Sequence, residues 1–267
     1  MRAKINGISL AYHDQGAGLP IVFLHAFPLN RTMWAPQEAA LVPHFRVLSI
    51  DLRGHGESDA PLWHYTLDQA ADEVRKVLDQ LSIQQAIFAG LSMGGYILFS
   101  FYRKYANLVK GMILADTRAQ ADTEEGKDGR YQLAQTAYRK GPAAVADIMI
   151  PKLLSPGTIQ SRPEIVQKVR SMIEGTETSG IVCALMAMAE RTDSIPLLPH
   201  ISCPTQIIVG ELDQATPPSD AAIMAEHIPG SQLAVIPEAA HLANLEQPGL
   251  FNELVRSFVV RVDGTLS

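Results

Sequence analysis

The chain has 267 residues, 47% of them hydrophobic and 19% charged, a balance that excludes disordered and fibrous classes and leaves enough apolar side chain for a sizeable core. Its formal net charge is −6, and no block of consecutive basic residues supplies the electrostatic footprint of a nucleic-acid binder, so a small-molecule partner fits better. No stretch approaches the length of a membrane span, and the N-terminal residues turn polar before any apolar run of signal-peptide length, so no membrane partner is expected and the expected location is the cytoplasm.

Taken in chain order, the first short apolar run, residues 21–24, reads as a buried strand and leads into His25-Ala26-Phe27-Pro28. A second strand, residues 46–50, leads into Asp51-Leu52-Arg53-Gly54-His55-Gly56-Glu57-Ser58, where two glycines allow a tight bend and Asp51, Arg53 and His55 can satisfy buried backbone groups. Apolar residues at 67, 70, 71, 74, 78 and 81 have helical spacing. A third strand, residues 86–89, runs into Gly90-Leu91-Ser92-Met93-Gly94-Gly95 and a helical segment over 96–105. Residues 111–115 form a fourth strand ending at Asp116. The alternation then stops. Residues 118–196 read as consecutive helical segments, polar and charged over 118–130 and apolar on nearly every side over 181–189, as an inserted cap would be. Strands at 205–209 and 232–236, with an amphipathic helix around residues 251–259, resume the pattern. The expectation is one α/β domain: a mainly parallel central sheet with helices on both faces, built from residues 1–117 and 197–267, with a helical cap insertion over 118–196. Reactive groups are expected at the C-terminal ends of the strands.

The sharpest chemical signal is Ser92. Its Gly-x-Ser-x-Gly surroundings, with a strand before and a helix after, match a nucleophile elbow, in which small residues let neighbouring backbone pass close to a strained turn. The bland reading is a glycine-rich turn with a capping serine. A serine hydroxyl needs a base, and His241, in the loop between the last strand and the last helix, is the best placed of the eight histidines. The acid that orients it should end a strand between the two in sequence. Asp213 is favoured, and Asp116 is the serious competitor. Backbone donors for a developing oxyanion are expected from Met93 and Phe27. His25 reads as a structural histidine. No metal and no cofactor is expected, and Cys183 and Cys203 lack a ligand spacing and read as buried reduced thiols.

These motifs, with Gly210-Glu211-Leu212-Asp213 and Ala240-His241 in the same order and approximate spacing, make the chain resemble the α/β-hydrolase superfamily from Ile21 to Val259. Ala26 departs from the glycine usual in that family. Within it, the likeness is to small capped carboxylesterases, cofactor-free haloperoxidase-like esterases and 3-oxoadipate enol-lactonases. The resemblance implies a serine hydrolase acting on a carboxylic ester of a small, largely apolar substrate, with cap residues Ile148, Met149, Leu185, Met186 and Met188 shaping the pocket. A lactone or enol-lactone substrate is the alternative, and it requires a cation in the pocket, for which Arg118, Arg130 and Arg191 are candidates. A non-catalytic small-ligand receptor and an interaction scaffold are the readings outside enzymes.

Overall fold

The computed structural model describes residues 1–5, 7–60 and 63–264. The chain opens on β1 (Arg2–Ile5), β2 (Ile8–Gln15) and β3 (Pro20–Leu24), followed by α1 (Ala35–Leu41), β4 (Arg46–Ile50), α2 (Leu67–Gln80), β5 (Ala86–Leu91), α3 (Met93–Tyr105) and β6 (Val109–Ala115). Four helices come next: α4 (Glu124–Leu153), α5 (Pro156–Ser161), α6 (Pro163–Glu174) and α7 (Thr178–Ala189). The chain returns to the sheet with β7 (Thr205–Gly210), α8 (Pro218–His227), β8 (Gln232–Ile236), α9 (Ala243–Glu246) and α10 (Pro248–Asp263). Among the described residues, no helix is long and apolar enough to cross a membrane.

The strands form one eight-stranded sheet in the order β1-β2-β4-β3-β5-β6-β7-β8. From β4 onward every pairing is parallel, whereas β1–β2 and β2–β4 are antiparallel. The central strands are buried along their whole length, β5 and β7 at every residue, because helices cover both faces and leave no polar side to alternate with. The expected α/β architecture is therefore present. The sequence reading missed β1 and β2: β1 is four residues long and β2 mixes Tyr12, His13 and Asp14 into a half-buried hairpin, so neither shows a continuous apolar run.

Helix α2 illustrates why the covering helices form where they do. Thr66 caps it through a reciprocal bond with Gln69, and Leu67, Ala70, Ala71, Val74, Val77 and Leu78 put one apolar stripe against the sheet. Fully burying Val74, Val77 and Leu78 stabilises the fold by roughly 1.5–3 kcal/mol each. At the other end of the chain, α10 buries Phe251, Val255, Phe258 and Val259 and stops at Gly264, whose φ of 70° supplies the left-handed residue that helix ends favour.

The helical insertion occupies the interval between β6 and β7. Its first helix, α4, is broken at Gly141, where φ is 78° and ψ 178°, and Pro142 follows. Both α7 and α6 pack against α4. Leu242 donates its N–H to the Leu153 carbonyl at 3.2 Å, which joins the end of α4 to the loop before α9.

Candidate active site

Ser92 joins β5 to α3 with φ 54° and ψ −113°, a conformation that residues bearing a side chain rarely adopt. The turn is tight because backbones touch: a Cβ on Gly90 would meet the Gly94 carbonyl at 2.5 Å, and one on Gly94 would meet the Leu24 carbonyl oxygen at 2.2 Å. Both positions therefore demand glycine. The elbow is tied to β6 on either side of the serine: Ser92 N–H donates to Ala115 O at 3.0 Å, and the Thr117 hydroxyl donates to Ser92 O at 2.9 Å.

Ser92 Oγ lies 2.8 Å from His241 Nε2, and His241 Nδ1 lies 2.8 Å from Asp213 Oδ2. All three are buried. A carboxylate accepts only, so Nδ1 carries the ring proton and Nε2 is left to accept from the serine hydroxyl. Burial by itself would raise the Asp213 carboxyl. Electrostatic interaction with the His241 ring and its hydrogen bond, together with donors from Thr216, outweigh burial and hold the carboxyl below its usual range. Thr216 N at 3.0 Å, Thr216 Oγ1 at 2.7 Å and Ala215 N at 2.8 Å all donate to it.

Two buried carboxylic side chains stand behind this chain of bonds. Glu246 accepts from Ala240 N at 2.8 Å and from Ser155 N at 2.9 Å, so it holds the histidine loop to the α4–α5 junction. Asp116, the competitor for the acid, bonds not to His241 but to the Gly210 N–H, through Oδ1 at 2.8 Å.

Met93 is the first residue of α3, where its N–H has no intrahelical acceptor. Phe27 lines the same cavity as Ser92, and its turn is closed by the Leu29 N–H on Ala26 O at 2.9 Å, with a cis Phe27–Pro28 peptide. Ala26 has no positive φ, and its methyl is fully buried, so its backbone does not require glycine. His25 donates from Nδ1 to Ala26 O and accepts the Leu52 N–H on Nε2, each at 2.9 Å, and burial lowers it to about 4. His55, buried beside it, is lowered to about 3, first by burial and then by the neighbouring His25. Neither reaches Ser92; both brace the loop that carries Phe27. Asp51 accepts from the Arg31 and Glu57 backbone N–H groups and pairs with the Arg31 guanidinium.

The cavity above Ser92 measures about 380 Å³ and is walled by Phe27, Tyr96, Met149, Leu153, Met188 and the 214–216 turn, with the cations Arg118, Arg130 and Lys152. Of the five cap residues expected at the pocket, Met149 and Met188 line it. Ile148 and Leu185 line an adjoining cavity of about 410 Å³ that shares Phe27, Arg130, Met149 and Lys152 with the first. Met186 faces elsewhere, beside Tyr131, Tyr138 and Val182 on the outer side of the insertion, because helix α7 is apolar nearly all round and its sequence does not say which face turns inward. The cavity is also more polar than the apolar cap helix suggested. Arg118 reaches it from the segment after β6, and Arg130 and Lys152 from either side of the α4 break, a juxtaposition invisible to local patterning.

These cations differ in how far they are neutralised. Arg130 is paired with Asp122 and also donates to Met188 Sδ at 3.4 Å. Arg191 is buried behind the wall, bonded to Asp122 at 2.8 Å and stacked 4.2 Å from the Tyr96 ring. Arg118 donates to Ala215 O at 3.0 Å and lies 3.8 Å from Asp220. Lys152 lines both cavities and forms no ion pair with the described residues. It was not singled out from the sequence, nor were Thr216 and Glu246.

Among the described residues, no group of three or more His, Cys, Asp or Glu side chains is placed to hold a metal ion. Cys183 and Cys203 are free thiols and are partly rather than fully buried: Cys183 sits on the exposed rim of α7 and donates toward Trp63 O at 3.7 Å.

Residues 20–248 match the model of the alpha/beta hydrolase fold family. Over 261 residues the chain is 33% identical to 3-oxoadipate enol-lactonase 2 of Acinetobacter baylyi, covering 98% of this chain and 96% of that protein. A thermophilic esterase from Thermogutta terrifontis, solved with malate bound, superposes with a TM-score of 0.95 at 42% identity, over 98% of this chain and 99% of that one. The enol-lactonase from Burkholderia xenovorans LB400 superposes with a TM-score of 0.92 at 31% identity, over 97% of this chain and 100% of that one.

Proposed function

The chain belongs to the α/β-hydrolase family, and from that premise we propose that it hydrolyses carboxylic esters, cyclic ones included, through a Ser92–His241–Asp213 triad. The observation that carries the reading is the unbroken relay from Ser92 Oγ through the imidazole to Asp213, each contact 2.8 Å. Similarity to an enol-lactonase and to an esterase supports the same reaction class.

In the first half of the reaction, Ser92 Oγ attacks the ester carbonyl carbon while its proton passes to His241 Nε2. Asp213 stabilises the imidazolium, and the Met93 and Phe27 N–H groups receive the carbonyl oxygen as it becomes an oxyanion. Collapse breaks the bond to the leaving alcohol, which takes the proton from Nε2 and leaves an acyl-serine. Water, deprotonated by the same nitrogen, then attacks the acyl carbon, and Ser92 regains its proton as the acid departs. In a lactone the alcohol and the acid stay in one molecule.

The walls favour a particular acyl group. Met149, Leu153 and Met188 suit a short apolar chain, and Arg118, Arg130 and Lys152 favour one that ends in a carboxylate. Lys152 is the cation free to meet it. This supports lactones and hemiesters of dicarboxylic acids above neutral esters of the same length. Labelling by a fluorophosphonate probe, compared between the wild type and Ser92→Ala, tests the mechanism; p-nitrophenyl hemiglutarate run beside p-nitrophenyl butyrate tests the substrate. Labelling that persists in Ser92→Ala, or none in the wild type, overturns the hydrolase reading. Equal kcat/KM on the two esters overturns the carboxylate preference alone.

A further inference from the structure

Asp116 is a carboxyl group that the relay does not use. It follows β6 directly, with φ 41° in the left-handed region, and is completely buried. Its own N–H donates to Ile208 O at 2.8 Å, and its Oδ1 accepts from Gly210 N at 2.8 Å, so it fastens the end of β6 to the end of β7, three residues before Asp213. Ala115, the residue before Asp116, holds Ser92 N–H. One side chain thus sits where the loops bearing the nucleophile and the acid converge.

We propose that Asp116 is a positioning residue that works as an uncharged carboxylic acid, tying the start of the Asp213 loop to the end of β6. Its role in catalysis rests on the triad reading above; its protonation state does not. The ionisable groups facing it are Asp213, from the loop before α8, and Glu246, from α9, both acidic. No basic side chain forms an ion pair with it among the described residues. Two adjacent buried carboxyls cannot both be charged without a large cost, so one keeps a proton. Asp213 has four donors on it, including the imidazole, whereas Asp116 Oδ2 is buried with no hydrogen-bond partner. The proton therefore belongs on Asp116. Burial, then the negative charge of Asp213, push that group well above the ordinary carboxylate range, which agrees with the assignment. The consequence is that Asp213, not Asp116, is the anion bonded to His241 Nδ1.

Three measurements test this. In difference infrared spectra at neutral pH, wild type minus Asp116→Asn, a carbonyl band of a protonated carboxylic acid is expected. The isosteric amide keeps an acceptor for Gly210 without a charge, so Asp116→Asn is expected to hold kcat/KM within about threefold and leave the acid limb of the pH–rate profile in place. Asp116→Ala, or Asp116→Ser if the alanine variant does not fold, is expected to lower kcat about tenfold with little change in KM, because the tie is lost. No protonated-acid band, or an acid limb displaced to lower pH in Asp116→Asn, overturns the neutral assignment, since either means that a negative charge stood beside His241. Unchanged kcat in the alanine and serine variants overturns the positioning role. If the wild type shows no Ser92-dependent hydrolysis, the proposed function and the catalytic role fall together, while the infrared band still decides the protonation state.

Discussion

Replacing Asp213 with Asn removes the negative charge bonded to His241 and changes the volume hardly at all. The carboxylate lies 2.8 Å from Nδ1, and both groups are buried. For a charge pair at that separation, an effective dielectric of about 20 gives an interaction of about 6 kcal/mol, felt only when the imidazole is protonated in the transition state. At about 1.4 kcal/mol per decade, the expected loss in kcat is on the order of 10⁴. A second effect acts in the same direction. The amide N–H₂ facing Nδ1 would favour the tautomer with its proton on Nε2, which cannot accept from Ser92. KM should change little, because Asp213 does not line the cavity. Steady-state kinetics on a p-nitrophenyl ester, with thermal unfolding to confirm that the variant is folded, measure both quantities. A folded Asp213→Asn enzyme that loses less than about tenfold in kcat would refute the assignment. So would Asp116→Asn showing the larger loss.

Four further outcomes are expected. Lys152→Gln should raise KM for p-nitrophenyl hemiglutarate about tenfold and leave p-nitrophenyl butyrate unchanged, with kcat preserved on both, since an exposed cation contributes binding more than chemistry. Glu246→Gln presents an N–H₂ to one of two backbone donors, Ala240 N or Ser155 N, and should destabilise the fold by about 1–3 kcal/mol in urea titrations. Gly94→Ala drives a Cβ to 2.2 Å from the Leu24 carbonyl oxygen; loss of soluble folded protein, or of Ser92 labelling, is the expected result, read by circular dichroism and probe labelling. His55, lowered to about 3 in the fold against 6.5 when unfolded, takes up its proton more readily in the unfolded chain. Its contribution is complete above pH 6.5 and is lost as pH falls toward 3, so the thermal midpoint should decline over that interval, and less steeply in His55→Gln.

Local pattern carried much of the fold. Near-continuous apolar runs mark the central parallel strands because those strands are covered on both faces, and the bounds expected for β4, and for the exposed edge strand β8, coincide with the observed ones. The hairpin β1–β2 escaped because a half-buried edge mixes polar and apolar residues too evenly to stand out. Ser92 was legible for a steric reason: a strained strand-to-helix turn needs glycine at fixed offsets, and such a constraint is written in consecutive residues. The cap was legible as helices but not by face. Helix α7 is apolar nearly all round, so Met188 at the cavity and Met186 on the outer side look alike in sequence.

The sequence by itself determined the strand and helix alternation, the elbow at Ser92 and the chain order of serine, aspartate and histidine. Only the tertiary structure shows which of Asp213 and Asp116, both at the ends of parallel strands, has its carboxyl on His241 Nδ1: it is Asp213. It also brought Lys152 to the cavity and set Thr216 and Glu246 behind the relay. The physical reason is range. Turn sterics and burial on two faces act between neighbours in the chain, whereas charge pairing, carboxyl protonation and pocket lining depend on segments that meet only once the sheet has closed and the helical insertion has packed over it.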